Sequence, residues 1–246
     1  MTSGPLPFCE AARDKNRRGM DALPHRRTAE LSEGILTEAV VLQGPALPGD
    51  LSLPAHARGL VLFAHGSCGS RLSSRNRWVA RQLQLCGLAT FLFDLLTKEE
   101  ARDPRLLFDI PLLGQRIVLA MQWASQRDAL AGLQLGLFGA STGAAAALVA
   151  AAQKPQHVAA VVSRGGRPDL AHQWLPRVLA PTLLIVGGHD EDVLDHNRQA
   201  LRLLQGSKRL EVVPGATHFF EEPGAQEGVA ALAAQWFVQH LNRCAS

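Results

Sequence analysis

A serine flanked by small residues, Gly139-Ala140-Ser141-Thr142-Gly143, lies between an apolar run, Leu133 to Phe138, and an alanine-rich run, Ala144 to Ala152. The first run reads as a strand and the second as a helix, so the serine falls on a tight strand-to-helix turn, a nucleophile elbow. Such a turn crowds its neighbours, and glycine on both sides removes the Cβ atoms that would clash. It also lifts the hydroxyl to the helix N-terminus. There the amide of Thr142 and the positive end of the helix dipole face the charge that develops on an attacked carbonyl oxygen. The chemistry this suits is acyl transfer through a serine nucleophile. With 22 glycines and 12 serines in the chain, the pattern is expected about 0.1 times by chance. Context therefore has to separate a nucleophile from a serine that merely caps a helix.

An acid and a base follow in order. Pro181 to Val186 is a continuous apolar run ending in Gly187-Gly188-His189-Asp190, which reads as a buried parallel strand delivering Asp190 at its C-terminal end. Arg209 to Val213 reads as a last short strand, and His218 falls on the loop just beyond it. The order serine, acid, histidine is the one used on open α/β sheets, and it differs from the orders of two unrelated serine protease folds. Competitors are present. Asp192 and Asp195 fit the first turn of a helix, where carboxylates meet the dipole favourably. His189 adjoins the acid, but neighbours on an extended segment point apart. His25, His56, His157, His172, His196 and His240 fall in the N-terminal arm, in connections or on helix surfaces.

Gly59 to Ser67 reads as a strand entering a small-residue loop, Ala64-His65-Gly66-Ser67. A loop in this place supplies the second amide of an oxyanion hole, which the sequence assigns to Ser67, to within one residue. His65 fits a structural hydrogen-bonding role better than that of a base. Cys68 is a conceivable nucleophile without an elbow.

Together with Phe93-Asp94-Leu95-Leu96-Thr97, Ser163-Arg164-Gly165-Gly166-Arg167-Pro168-Asp169 and Gly215-Ala216-Thr217-His218, these motifs resemble the dienelactone hydrolase-like branch of the α/β-hydrolases over roughly residues 34 to 243. The resemblance implies esterase or lactonase chemistry with a nucleophile, a histidine and an aspartate, and no cofactor; Ser141, His218 and Asp190 match those roles by position. Dienelactone hydrolases proper carry cysteine as the nucleophile, whereas this chain has serine. The expected function is cleavage of an ester or lactone of a small soluble substrate through an acyl-enzyme. The alternatives are a non-catalytic binding module of the same fold, or an acyltransferase or thioesterase using the same three residues.

Length and composition agree with this. The chain has 246 residues, 47% hydrophobic and 19% charged, enough for one domain whose sheet is covered on both faces. A net charge of +3 is too small to argue for nucleic acid. Cys9, Cys68, Cys86 and Cys244 lack paired spacing, which predicts reduced thiols rather than disulfides or a metal site. Met1 to Gly19 has no apolar core and carries Asp14, Lys15, Arg17 and Arg18, which predicts no signal peptide and a cytoplasmic protein. Residues 1–33 read as a basic, poorly ordered arm and 34–243 as a single domain. The uncharged stretch Ala129 to Gln153 reads as a buried strand and helix rather than a membrane span.

The elements that must position these residues alternate strand and helix, the pattern of a mostly parallel sheet wound on both faces, and the resemblance implies that this α/β sheet is an α/β-hydrolase fold. Glu38 to Gln43 with Asp50 to Leu53 is an opening pair, and Leu60 to Ala64, Ala89 to Phe93, Val158 to Val162 and Pro181 to Val186 are further strands. Helices are predicted from Ser74 to Cys86, from Asp109 to Gln126 with Pro111 in the first turn, and along the stripe Val229, Leu232, Ala233, Trp236, Phe237 and Leu241. The short connection Ser163 to Ala180 leaves no room for a large cap, though Leu95 to Phe108 could fold over the site. Arg71, Arg75, Arg77, Arg164 and Arg167 fall in or near loops at the strand ends. Arg75, Arg164 and Arg167 in particular are candidates to bind an anionic substrate group such as a carboxylate, or else to pair with Glu99, Glu100, Asp103 or Asp169.

Overall fold

Five runs with almost no polar side chains, Gly59–Ala64 (β4), Ala89–Phe93 (β5), Gln134–Ala140 (β6), Ala160–Arg164 (β7) and Thr182–Gly187 (β8), form the middle of the sheet and are buried along nearly their whole length. That is the signature of parallel strands covered on both faces. A computed structural model describes residues 30–32 and 34–241. Around the middle lie Glu30–Ser32 (β1), Ile35–Leu42 (β2) and Leu47–Pro54 (β3) on one side and Lys208–Val213 (β9) on the other, in the order β1-β2-β3-β5-β4-β6-β7-β8-β9. The first three strands and their junction with β5 are antiparallel; every pair from β5 to β9 is parallel.

Alternation along β4 shows how the core divides. Leu60, Leu62 and Ala64 pack on one face with Ile110–Ser125 (α2) and Thr142–Gln153 (α3); Val61 and Phe63 pack on the other with Ser74–Leu85 (α1) and Ala225–His240 (α5). The alanines of α3 let it lie deep, with every residue from Thr142 to Ala152 buried. Opposite it, a Cβ on Gly114 of α2 would sit 2.8 Å from Val149 Cγ1, so glycine sets the close approach of the two helices. Side-chain caps define two helix starts: Asp109 accepts from Leu112 N at 3.0 Å, and Ser73 accepts from Asn76 N at 3.5 Å.

The opening hairpin is longer than expected. It includes Pro48, Gly49 and Pro54, residues that normally end strands. The reason is tertiary: a Cβ at Gly49 would lie 2.5 Å from the Phe91 ring, which stacks with Phe93 at 5.3 Å between centroids. Glu30–Ser32, assigned to the arm by sequence, pairs with β2; the remainder of the arm, 1–29, lies outside the described residues, as do Cys9 and Cys244. The connection after β7 forms a short 3-10 stretch, Pro168–Arg177, against α3 and Glu191–Leu203 (α4).

The register fixes where chemistry can occur. The chain leaves β4 towards β5 on one side, while β6 lies on the other, so the loops after β4 and β6 diverge at a topological switch point. Ligand sites on open α/β sheets form outside the carboxyl ends of strands at such points. Here Ala64 is level with Gly139, and Ala140 with Arg164.

Candidate active site

Ser141 is held at φ 52° and ψ −121°, a region that non-glycine residues rarely occupy. The glycines enforce it. A Cβ on Gly139 would lie 2.7 Å from Ala144 N, and one on Gly143 would run into the carbonyls of Ala64 and His65. Ser141 occupies the N-cap of α3 but makes no side-chain capping bond, so its hydroxyl is not committed to the helix. Its amide donates to Arg164 O at 3.2 Å, tying the elbow to the end of β7. Thr142, 2% exposed, opens α3, whose first amides have no intrahelical acceptor.

The loop carrying Ser67 presses on the elbow: a Cβ on Gly66 would lie 3.0 Å from Ser141 Cβ and 3.7 Å from Ser141 Oγ. His65 holds that loop. Its Nε2 accepts from Leu95 N at 3.0 Å, which places the ring proton on Nδ1, 2.9 Å from the Gly66 carbonyl it donates to. Burial pushes the His65 pKa below its ordinary 6.5, outweighing the Gly66 carbonyl and the nearby Asp94 carboxylate. The ring is a neutral brace. Arg71 is spent on the same corner, bonding Asp94 through its backbone N at 2.7 Å and Nη1 at 2.8 Å.

Asp190 and His218 meet because the loops after β8 and β9 are pressed together, with His189 N bonding Ala216 O at 2.9 Å and no room for a side chain at Gly187 against that carbonyl. His218 Nδ1 lies 2.6 Å from Asp190 Oδ2. Asp190 is also the N-cap of α4, yet makes no capping bond; its carboxylate is given to the histidine. Asp192 lies in the first turn of α4, Asp195 pairs with Arg198 at 2.9 Å, and His189 is exposed. The His218 ring reaches back towards the elbow. Its Cε1 lies 3.6 Å from the Cβ position of Gly165 (φ +51°), the residue after Arg164, whose carbonyl holds Ser141 N.

Two residues that sequence reasoning missed fix the histidine loop. Phe220 is fully buried despite a φ of 54°, and Glu222 accepts from Thr217 N at 3.1 Å and from Thr217 Oγ1 at 2.6 Å. The only sequence signal was an apolar pair directly after the histidine. Among the arginines, Arg167 is doubly bonded to Asp169 at 2.9 and 2.7 Å, and Arg75 pairs with Glu221 at 2.7 Å. Arg164 has no carboxylate partner among the described residues; its nearest acceptor is Asn76 Oδ1 at 3.4 Å, and its buried Nε bonds nothing.

Leu95 and Leu96 fold over the Gly66-Ser67 backbone and, with Leu107 and Leu113, line a narrow apolar recess there. The larger cavity, about 500 Å³, opens at the opposite edge of the sheet among the ends of α2 and α3. Among the described residues, no three or more His, Cys, Asp or Glu side chains are grouped to hold a metal ion, and no helix is long and apolar enough to cross a membrane.

Comparison with known proteins agrees with this architecture. Residues 59–175 match the family model described as the alpha/beta hydrolase fold. A crystal structure of a dienelactone hydrolase from Anabaena variabilis is 53% identical and superposes with a TM-score of 0.82, covering 85% of this chain and 100% of that one. An esterase from an Arctic intertidal metagenomic library shares the fold at 17% identity, with a TM-score of 0.72 over 89% of this chain and 100% of that one. A Mycobacterium tuberculosis protein provisionally named a phosphoribosyl transferase is 55% identical over 205 residues, 83% of this chain. The chain spans only 46% of that relative's length, so its name describes a protein about twice as long. On these grounds the chain belongs to the α/β-hydrolase family, in its dienelactone hydrolase-like branch.

Proposed function

We propose that the chain cleaves an ester or lactone of a small molecule through an acyl-enzyme on Ser141. The observation that carries this reading is the 2.6 Å bond between His218 and Asp190, with the His218 ring beside Gly165, the residue after the one whose carbonyl holds Ser141 N. With Nδ1–H given to the carboxylate, His218 Nε2 is left as the acceptor that can take the Ser141 proton as the hydroxyl attacks a carbonyl. Asp190 orients the ring and stabilises the imidazolium. The Thr142 and Ser67 amides hold the oxyanion; His218 then protonates the leaving group, and water repeats the sequence in reverse to free the acid.

The test is a panel of p-nitrophenyl esters, thioesters and lactones run on the wild type and on Ser141→Ala. Turnover of short-chain oxygen esters or lactones that disappears in the variant supports the proposal. A thioester-only profile or acyl transfer to an added alcohol in preference to water moves the assignment to the corresponding transferase or thioesterase. No turnover at all leaves a non-catalytic binding module.

A further inference from the structure

Arg164 ends β7, level with Ala140, and its side chain turns to the face carrying α1 and α5. There it lies near Asn76 of α1 and with its guanidinium 5.8 Å from the centre of the Phe220 ring, two residues beyond His218. Arg164 is partly buried and its Nε is shut off from solvent without a hydrogen-bond partner, which is costly for a cation unless something pairs with it. Among the described residues it has the Phe220 ring and a long contact to Asn76, while the neighbouring cation Arg75 repels it; burial first and that repulsion second pull the Arg164 pKa down to about 10. It therefore stays charged at neutral pH. Arg75 stacks over Phe219 at 4.7 Å and is paired with Glu221, whose side chain is 68% exposed. Such an exposed pair is weak and easily exchanged. Arg75 stands in the first turn of α1 and Arg164 reaches Asn76 of the same turn; α1 is a 12-residue helix with no acidic residue there to neutralise its positive end.

We propose that Arg164, with Arg75, forms a subsite for a phosphate group carried by the substrate, and that the Glu221 carboxylate occupies Arg75 until the phosphate displaces it. This deepens the hydrolase reading, on which it rests for the location of the reacting carbonyl: the subsite lies beside His218, across the elbow from the apolar recess. Two guanidiniums and a helix N-terminus match a doubly charged oxoanion better than a single carboxylate. The substrate class is then a phosphorylated small molecule bearing an ester or lactone.

Calorimetry with glycerol, glycerate and glycerol phosphate, one scaffold bearing no charge, one and two, tests this without requiring turnover. The expected order of affinity is glycerol phosphate, then glycerate, with glycerol not binding. Arg164→Gln should weaken glycerol phosphate about 10- to 100-fold, Arg164→Lys should restore part of that loss, and Glu221→Gln should tighten binding about threefold. If melting shows that Arg164→Gln does not fold, Arg75→Gln takes its place, with an expected weakening of about 3- to 10-fold. Glycerate binding as tightly as glycerol phosphate, no binding of either, or indifference of glycerol phosphate to the arginine variants would overturn the proposal. A protein that binds glycerol phosphate through Arg164 but turns over no ester keeps the subsite and loses the esterase reading; active enzyme blind to glycerol phosphate does the reverse.

Discussion

The two edges of the same parallel strands are built differently. At the amino edge, the starts of β4, β6 and β7 and the ends of α2 and α3 surround the larger cavity, about 500 Å³, lined by side chains such as Met121, Leu130 and Leu135. At the carboxyl edge the recess beside Ser67 is only about 10 Å³, yet Ser141, Gly165 and Phe220 all have positive φ, and His65 and Arg164 are partly buried with lowered proton affinities. The lesson is that open space and strained, partly desolvated groups fall at opposite edges of the sheet. The proposed chemistry follows the strained backbone and desolvated groups, because each is tolerated only where the surrounding structure holds it in place.

The sharpest way to break that contrast lies in the acid. Asp190→Asn keeps size and shape but removes the charge and the tautomer it imposes on His218, so ester turnover should fall about 10⁴-fold at neutral pH. A loss under tenfold in a steady-state assay would mean that another group orients the ring. Next in size is Gly143→Ala, whose added methyl meets the carbonyls of Ala64 and His65. It should destabilise the fold by about 1–3 kcal/mol in urea unfolding and reduce turnover well beyond the stability loss. By contrast, Met121→Leu at the amino-edge cavity should leave kcat/KM within about twofold.

His65 supplies a pH test of intermediate size. Its folded pKa lies below the ordinary 6.5 and the unfolded chain binds the proton first, so its contribution is complete above pH 6.5. That contribution is lost as pH falls from 6.5 through the depressed folded value. His240 is shifted in the same direction by burial, so the informative quantity is the difference between proteins. His65→Gln should be less stable than wild type at pH 8, with the gap narrowing as the pH drops below 6.5. A gap independent of pH would mean that His65 is not held neutral.

How far the sequence could be read follows from the range of the interactions. The elbow was legible because its constraint is local: glycines at 139 and 143 report a turn that leaves no room for Cβ. The central strands and α1, α2 and α5 were legible to within a few residues because burial on two faces or one stripe leaves a periodic trace. Asp190 and His218 could be picked from their competitors by position after strands, though no spacing could give the 2.6 Å contact between them. What stayed hidden depends on partners far along the chain. The strand through Pro48 and Gly49 exists because Phe91 fills the space above it. Arg167 meets its carboxylate two residues along the loop after β7, whereas Arg164, the last residue of β7, turns towards Asn76 of α1, and the bracing of His65 depends on an amide thirty residues away.

The most direct test is to trap the covalent intermediate. Wild-type protein treated with a fluorophosphonate should gain one phosphonyl group, located by peptide mass spectrometry on Ser141, while Ser141→Ala gains none and His218→Ala reacts far more slowly. Equal labelling of wild type and Ser141→Ala, or a label on another residue such as Cys68, would contradict the assignment of Ser141 as the nucleophile.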